Sequence, residues 1–226
     1  MILKDTFEKM QGRKFEKNII KTFFSLVDNE SKNVLDVGCG KGLWDYLGAK
    51  KEKFDHISAC DIFDDFQFEE IRQVSNTVTY KNTDGKTLPF EDNMFDLVFS
   101  MDVIEHVKND FTFTLEKIRV AKPGGKILIG TPNYFRIGNF PLIITGKLHY
   151  PRILGHDSYG DVIHLREYKK NELNNLLDRV TNIIDPKSIH IQACFLGIPA
   201  FNIGLEKFPR ILENFCQYWF VSFNKK

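Results

Sequence analysis

Gly38, Gly40 and Gly42 alternate with Cys39 and Lys41 directly behind Asp36, a stretch able to do chemistry with its backbone. Without Cβ atoms such a chain turns sharply, and a ligand can lie against it. Val34, Leu35 and Val37 read as a buried parallel strand, because β-branched valines favour strand over helix. Leu43 to Leu47 can open a helix whose free N–H groups face the loop. Together these describe a nucleotide-like ligand site at the carboxyl end of a first strand. An ordinary tight turn is the alternative.

Two further acids fall where such a site needs them. His56 to Asp61 reads as the second strand, with Asp61 about twenty residues beyond the glycines. That is the distance at which an acid accepts hydrogen bonds from both ribose hydroxyls; a helix cap or solvated turn acid is the alternative. Asp84 follows a third strand, Thr77 to Tyr80, and could accept from an exocyclic adenine amine or simply form an Asp-Gly turn with Gly85. The dinucleotide pattern G-x-G-x-x-G fails: counted from Gly38 its last glycine falls on Leu43, and counted from Gly40 on Asp45. A nicotinamide oxidoreductase is therefore disfavoured.

The elements around these residues alternate strand and helix. Lys4 to Asp28 reads as an amphipathic helix interrupted near Gly12, either covering the ligand or packing on the core. Helices are expected over Phe66–Val74, Phe111–Ala121, Leu173–Val180 and Leu205–Phe215. Strands are expected over Phe95–Met101, Lys126–Thr131 and Gln217–Phe223, with a bent one through Ile183–Ile191. Lys122-Pro123-Gly124-Gly125 should break the chain before the fifth strand.

With 226 residues the chain fits one α/β domain. Net charge is +1, but it runs +3 over residues 1–53, −10 over 54–116 and +8 over 117–226. The acidic middle would suit a cationic ligand. Cys39, Cys60, Cys194 and Cys216 form no C-x-x-C pair, which points to free thiols in a reduced, cytoplasmic setting. No secretory signal and no run long enough to span a membrane is expected.

The loop Val34 to Gly42, the strand-end Asp61, Asp84-Gly85 with Leu88-Pro89-Phe90 and Phe95 to Val98, and Pro123-Gly124-Gly125 before Thr131-Pro132-Asn133 occur in a familiar order. Together with Ile104-Glu105-His106-Val107 they resemble the class I S-adenosylmethionine (SAM) dependent methyltransferases, over roughly residues 30–135. The resemblance implies a Rossmann-like three-layer α/β sandwich. Its seven-stranded, mostly parallel sheet has an antiparallel last strand. A single domain over 1–226 is expected, with the N-terminal helix 4–28 and an acceptor-side insertion or lid at 133–168. The implied cofactor is SAM, leaving as S-adenosylhomocysteine. Asp36 with Gly38, Cys39, Gly40 and Gly42 would hold its amino-acid end, Asp61 and Ile62 its ribose side. Asp84 and Gly85 would take the adenine, and Ser100 and Met101 the methionine portion.

The acceptor side is less specific. Residues 133–168 interleave aromatics with His and Arg (Tyr134, Phe135, Arg136, His149, Tyr150, Arg152, His156, Tyr159), which suits a sugar or an aromatic hydroxyl. His164-Leu165-Arg166-Glu167-Tyr168 before Asn171-Glu172-Leu173 resembles a stretch of methyltransferases found with polysaccharide or glycolipid synthesis. His106 and His164 are candidate general bases, with a structural role for each as the alternative. No H-E-x-x-H spacing occurs, and no metal is expected. The expected activity is O-methylation of a small molecule or glycan. A methylase of a quinone-like hydroxyl and a non-catalytic SAM-binding protein are the rivals. A nucleic-acid partner is not expected, since no Asn/Asp-Pro-Pro-aromatic stretch follows the fourth strand to hold a flipped base. The apolar 195–208 region could pack in the core, touch a membrane surface or form a homodimer face.

Overall fold

The computed structural model describes residues 2–28, 31–75, 77–148 and 164–226. His149, Tyr150, Arg152, His156 and Tyr159 lie outside the described residues. Five strands, β1 (Asn33–Val37), β2 (His56–Asp61), β3 (Val78–Asn82), β4 (Phe95–Met101) and β5 (Ala121–Pro132), pair in parallel. The full sheet has the order β3-β2-β1-β4-β5-β9-β6, with β6 (His190–Cys194) at its far edge. The last strand, β9 (Tyr218–Asn224), runs antiparallel between β5 and β6. The expected α/β sandwich with one reversed strand is thus present. The chain order reverses beside β1, where β2 lies on one side and β4 on the other; ligands of such sheets lie at that crevice.

Helices cover both faces. On one side α1 (Ile2–Gln11), α2 (Lys14–Leu26), α3 (Leu43–Lys50) and α4 (Phe68–Arg72) pack on Val34, Leu97, Phe99 and Leu128. On the other, α5 (Asp110–Val120) and α7 (Lys170–Asp178) pack on Leu35, Val98, Ile127 and Ile129. No described helix is long and apolar enough to cross a membrane. Much of the phenylalanine load sits on the first face. Phe23 is fully buried, with ring centroids 4.5 Å from Trp44 and 5.1 Å from Phe99. Phe23→Ala should cost about 3–5 kcal/mol of stability, read by chemical denaturation.

Several boundaries differ from the sequence reading. The expected interruption near Gly12 is present, parting α1 from α2, while the first helix starts at Ile2 and the second ends at Leu26. The Pro-Gly-Gly turn does not precede β5 but bulges within it: Phe95 pairs with Ala121 and Leu97 with Lys126, so four residues loop out. The Phe66–Val74 helix shrinks to α4. The helix expected over 205–215 is absent. Instead β7 (Leu196–Ile198) and β8 (Ile203–Leu205) form a hairpin, followed by a 3₁₀ segment, Arg210–Phe215. Asn202 turns the hairpin in the left-handed region at φ +55°. Gly197 lets its strands approach, since a Cβ there would lie 2.2 Å from the Ile203 carbonyl oxygen. Phe195 is buried, whereas Phe201, Ile203, Leu205 and Ile211 are exposed. The short α6 (Phe140–Ile144) lies within the 133–168 segment, after a 3₁₀ turn at Ile137–Asn139.

Candidate functional site

The loop between β1 and α3 takes its shape from three glycines at φ +78°, +52° and +84°. Gly38 and Cys39 N–H donate to the Cys60 carbonyl at 2.8 and 3.2 Å, tying the loop to the end of β2. Gly40 N–H donates to Asp61 Oδ2 at 2.7 Å, and Phe63 N–H to Asp61 Oδ1 at 3.0 Å. Each Asp61 oxygen keeps further acceptor capacity, so the carboxylate can bind a diol as well. A Cβ built on Gly40 would meet no atom within 4 Å. The loop therefore faces open ground beside the strand-end acid. Ile62 is half-buried next to Asp61, and Cys39 is buried within the loop.

Asp36 sits beneath this loop, 1% exposed, and faces Asp45 of α3, which is fully buried. None of their four oxygens has a hydrogen-bond donor among the described residues. Burial, then repulsion from Asp45 and Asp61, holds the Asp36 carboxyl well above the usual range. Burial likewise pushes Asp45 up to about 8, opposed by its contact with Asp36. A proton shared between the two relieves both. Asp45 was not singled out from the sequence, where an acid in the first turn of a helix reads as solvated.

The other expected contacts divide. Asp84 is exposed, and its Oδ1 accepts from Lys86 and Thr87 N–H at 2.9 and 3.3 Å, the Asp-Gly turn geometry; Oδ2 is left outside that turn. Gly85, at φ +71°, completes the turn. Ser100 is fully buried, and its hydroxyl accepts from the buried Lys117 ammonium at 2.9 Å, away from the loop. Burial holds Lys117 well below the ordinary lysine range. Met101 ends β4 and packs over Gly130, where a Cβ would lie 2.5 Å from its Cε.

Beyond Met101 the chain turns through Asp102, at φ +57°, into a 3₁₀ turn, Ile104–His106. Left-handed backbone is tolerated by aspartate. His164 returns to this turn from far along the sequence. Leu165 and Arg166 N–H donate to the Glu105 carbonyl at 2.9 and 3.3 Å. Arg166 also binds the Val107 and Lys108 carbonyls and Asp110, which accepts from the Tyr168 hydroxyl too. Arg and Tyr of the His-x-Arg-x-Tyr stretch are thus clamps, and His164 is what they deliver. Its ring centroid lies 4.8 Å from that of His106. His164 Nδ1 stands 3.0 Å from Glu167 Oε1, which Arg136 also holds at 2.6 Å.

The floor is acidic. Glu105 is fully buried; Oε2 accepts from Thr131 at 3.0 Å, while Oε1 has no partner among the described residues. Burial, then the Asp102 charge, pushes Glu105 up to about 8. Asp102 keeps exposed surface, yet the groups packed around it desolvate its carboxyl. That desolvation pushes it up to about 6, against the pull of Tyr218, His164 and Arg136. The buried Tyr218 hydroxyl faces it.

Residues 35–129 match the family model described as a methyltransferase domain. Over those residues the chain matches a methyltransferase domain, and its fold is the one shared by solved SAM-dependent methyltransferases. Phosphoethanolamine N-methyltransferase 1 of Arabidopsis thaliana is 36% identical over 102 residues, 43% of this chain and 20% of that protein. The tRNA U34 carboxymethyltransferase of Nautilia profundicola is 31% identical over 133 residues, covering 57% and 43%. The chloroplastic tocopherol O-methyltransferase of A. thaliana is 32% identical over 132 residues, covering 55% and 37%. The matched region spans less than half the length of each of these relatives. A SAM-dependent methyltransferase from Thermotoga maritima shares the fold, with a TM-score of 0.64 at 17% identity over 92% of this chain and 88% of that one. The methyltransferase loop fits its cofactor. Open ground beside Gly40 would leave room for an amino-acid end, and Asp61 would have acceptors to spare for a ribose.

Proposed function

We propose that this chain transfers the methyl group of SAM to the hydroxyl of a small molecule or glycan. The carrying observation is Asp61: its carboxylate fixes the Gly40 N–H, next to which there is open ground, and keeps acceptor capacity. Bound there, SAM supplies a methyl on a positive sulfur that is already a good leaving group. The backbone N–H groups of the loop bind its carboxylate, and Asp61 its ribose hydroxyls. Asp36 and Asp45 support the loop from beneath, and Asp84 Oδ2 stands by for the adenine amine. The acidic surroundings favour the cationic cofactor.

On the acceptor side, His106 and His164 stand together where a hydroxyl proton must leave. Glu167, as an acceptor, fixes the His164 proton on Nδ1 and leaves the Nε2 lone pair for the acceptor. Alignment itself can contribute about 7–11 kcal/mol. An amine acceptor is the second reading, favoured by Asp102, Glu105 and Glu167, which would attract a cation.

Calorimetric titration with SAM and with S-adenosylhomocysteine should give one site each. Labelled SAM offered to hydroxyl and amine panels identifies the acceptor class. His106→Ala and His164→Ala should each lower transfer about 10²–10⁴-fold while leaving SAM affinity intact. Absence of SAM binding would overturn the cofactor reading; full activity in both variants would overturn the role of the histidines.

A further inference from the structure

We infer that Glu105, His106 and His164 bind a divalent first-row transition-metal ion at the acceptor end of the site, an inference resting on the reading of that end as the acceptor pocket. Each residue offers one ligand atom, and all three atoms lie within 4.8 Å of one another. Ligands about 2.0–2.2 Å from one ion stand up to roughly 4 Å apart, so each side chain closes by about half an ångström. Two imidazoles and a carboxylate suit Mn²⁺, Co²⁺ or Zn²⁺, whereas Mg²⁺ and Ca²⁺ prefer all-oxygen shells.

Two further features point to the same ion. Glu105 is fully buried, yet one of its oxygens has no partner among the described residues. A buried carboxylate in that condition needs a cation or a proton. The buried Lys117 directs its ammonium to Ser100 and the Phe113 ring instead. His164 already has the outer partner that metal-bound histidines use, Glu167 at Nδ1, which leaves Nε2 as the nitrogen for an ion.

The ion alters the role of the two histidines. They act through it, holding the metal that takes the acceptor oxygen. The acceptor O–H bond then breaks with its proton leaving to solvent, and the oxygen keeps the electron pair as the nucleophile. No oxidant or reductant is required.

Titrating the whole chain with MnCl₂ or ZnCl₂ tests this without any acceptor, with MgCl₂ as the comparison. One equivalent of Mn²⁺ or Zn²⁺ should bind, and Mg²⁺ more weakly. His164→Ala, at a half-buried position whose loss spares the core, should weaken binding by about ten-fold or more, and His106→Ala likewise. Glu167→Gln should lower affinity by about 10–100-fold through the His164 ring. Thermal melts of each variant separate lost binding from lost fold. No stoichiometric binding, or equal binding in wild type and both histidine variants, overturns the proposal. SAM titration of the same samples keeps the two readings apart. Ion binding lost with SAM binding kept sinks only the metal site, and the reverse result sinks only the cofactor reading.

Discussion

Asp61→Ala will reduce SAM affinity by roughly 10²–10⁴-fold. The carboxylate would receive two ribose hydroxyls, and each charge-assisted hydrogen bond contributes about 1.5–3 kcal/mol. The same oxygens hold Gly40 N–H and Phe63 N–H at 2.7 and 3.0 Å, so the substitution also releases the loop. Asp61→Asn retains an acceptor for Gly40 but loses the charge and should fall between wild type and Ala. Calorimetry at saturating concentrations provides the measurement. Thermal melts without ligand should fall modestly for Asn, because its one amide oxygen replaces two separate acceptors, for Gly40 N–H and for Phe63 N–H. Unchanged affinity in the Ala variant would remove Asp61 from the site.

Asp45→Asn will make the protein more stable at pH 8 and flatten the dependence of stability on pH. In the unfolded chain an aspartate ionises near pH 4. In the folded chain burial pushes Asp45 up to about 8 and holds Asp36 high as well. Between those values the folded state binds more protons than the unfolded state, so stability falls as pH rises through that window. The introduced amide would donate to Asp36, removing the need for a shared proton. A gain of about 1–3 kcal/mol at pH 8, vanishing toward pH 4, is the expected size. Denaturant titrations at several pH values measure it. An identical pH slope in the variant would show that the pair does not titrate in this range.

The donor half was readable because its chemistry depends on consecutive residues. Alternating glycines after a β-branched run have few folded solutions, and Asp61 sits a fixed strand–helix–strand distance away. Asp45 was not readable: helical position says nothing about which side faces a neighbouring acid. The 205–215 helix failed for a related reason. Leu205, Ile211, Leu212 and Phe215 approximate a helical stripe, but Pro209 interrupts it, and Leu205 pairs with Leu196 instead. His106 and His164 were each legible from local stretches, but no local pattern says that they meet beside Glu105. Glu105 and His106 are neighbours in one turn, and His164 joins them only because the Glu105 carbonyl captures Leu165 and Arg166. Ser100 kept its expected position at a strand end while its side chain turned inward to a lysine that no spacing rule would pair with it.

The two ends of the 133–168 segment are pinned side by side. Tyr134 N–H donates to the Tyr168 carbonyl, Tyr168 N–H to the Pro132 carbonyl, and Asn133 bridges Tyr168. Asn133 is anchored in turn by the Asn214 and Cys216 carbonyls at 2.8 Å. Once the base of a loop is stapled in this way, its length carries little thermodynamic weight: doubling it costs only about 0.6 kcal/mol. The sheet and the cofactor loop are thus insulated from whatever the intervening residues become. Length changes between these pinned ends would therefore cost the sheet and the loop after β1 little, whatever the intervening residues contact.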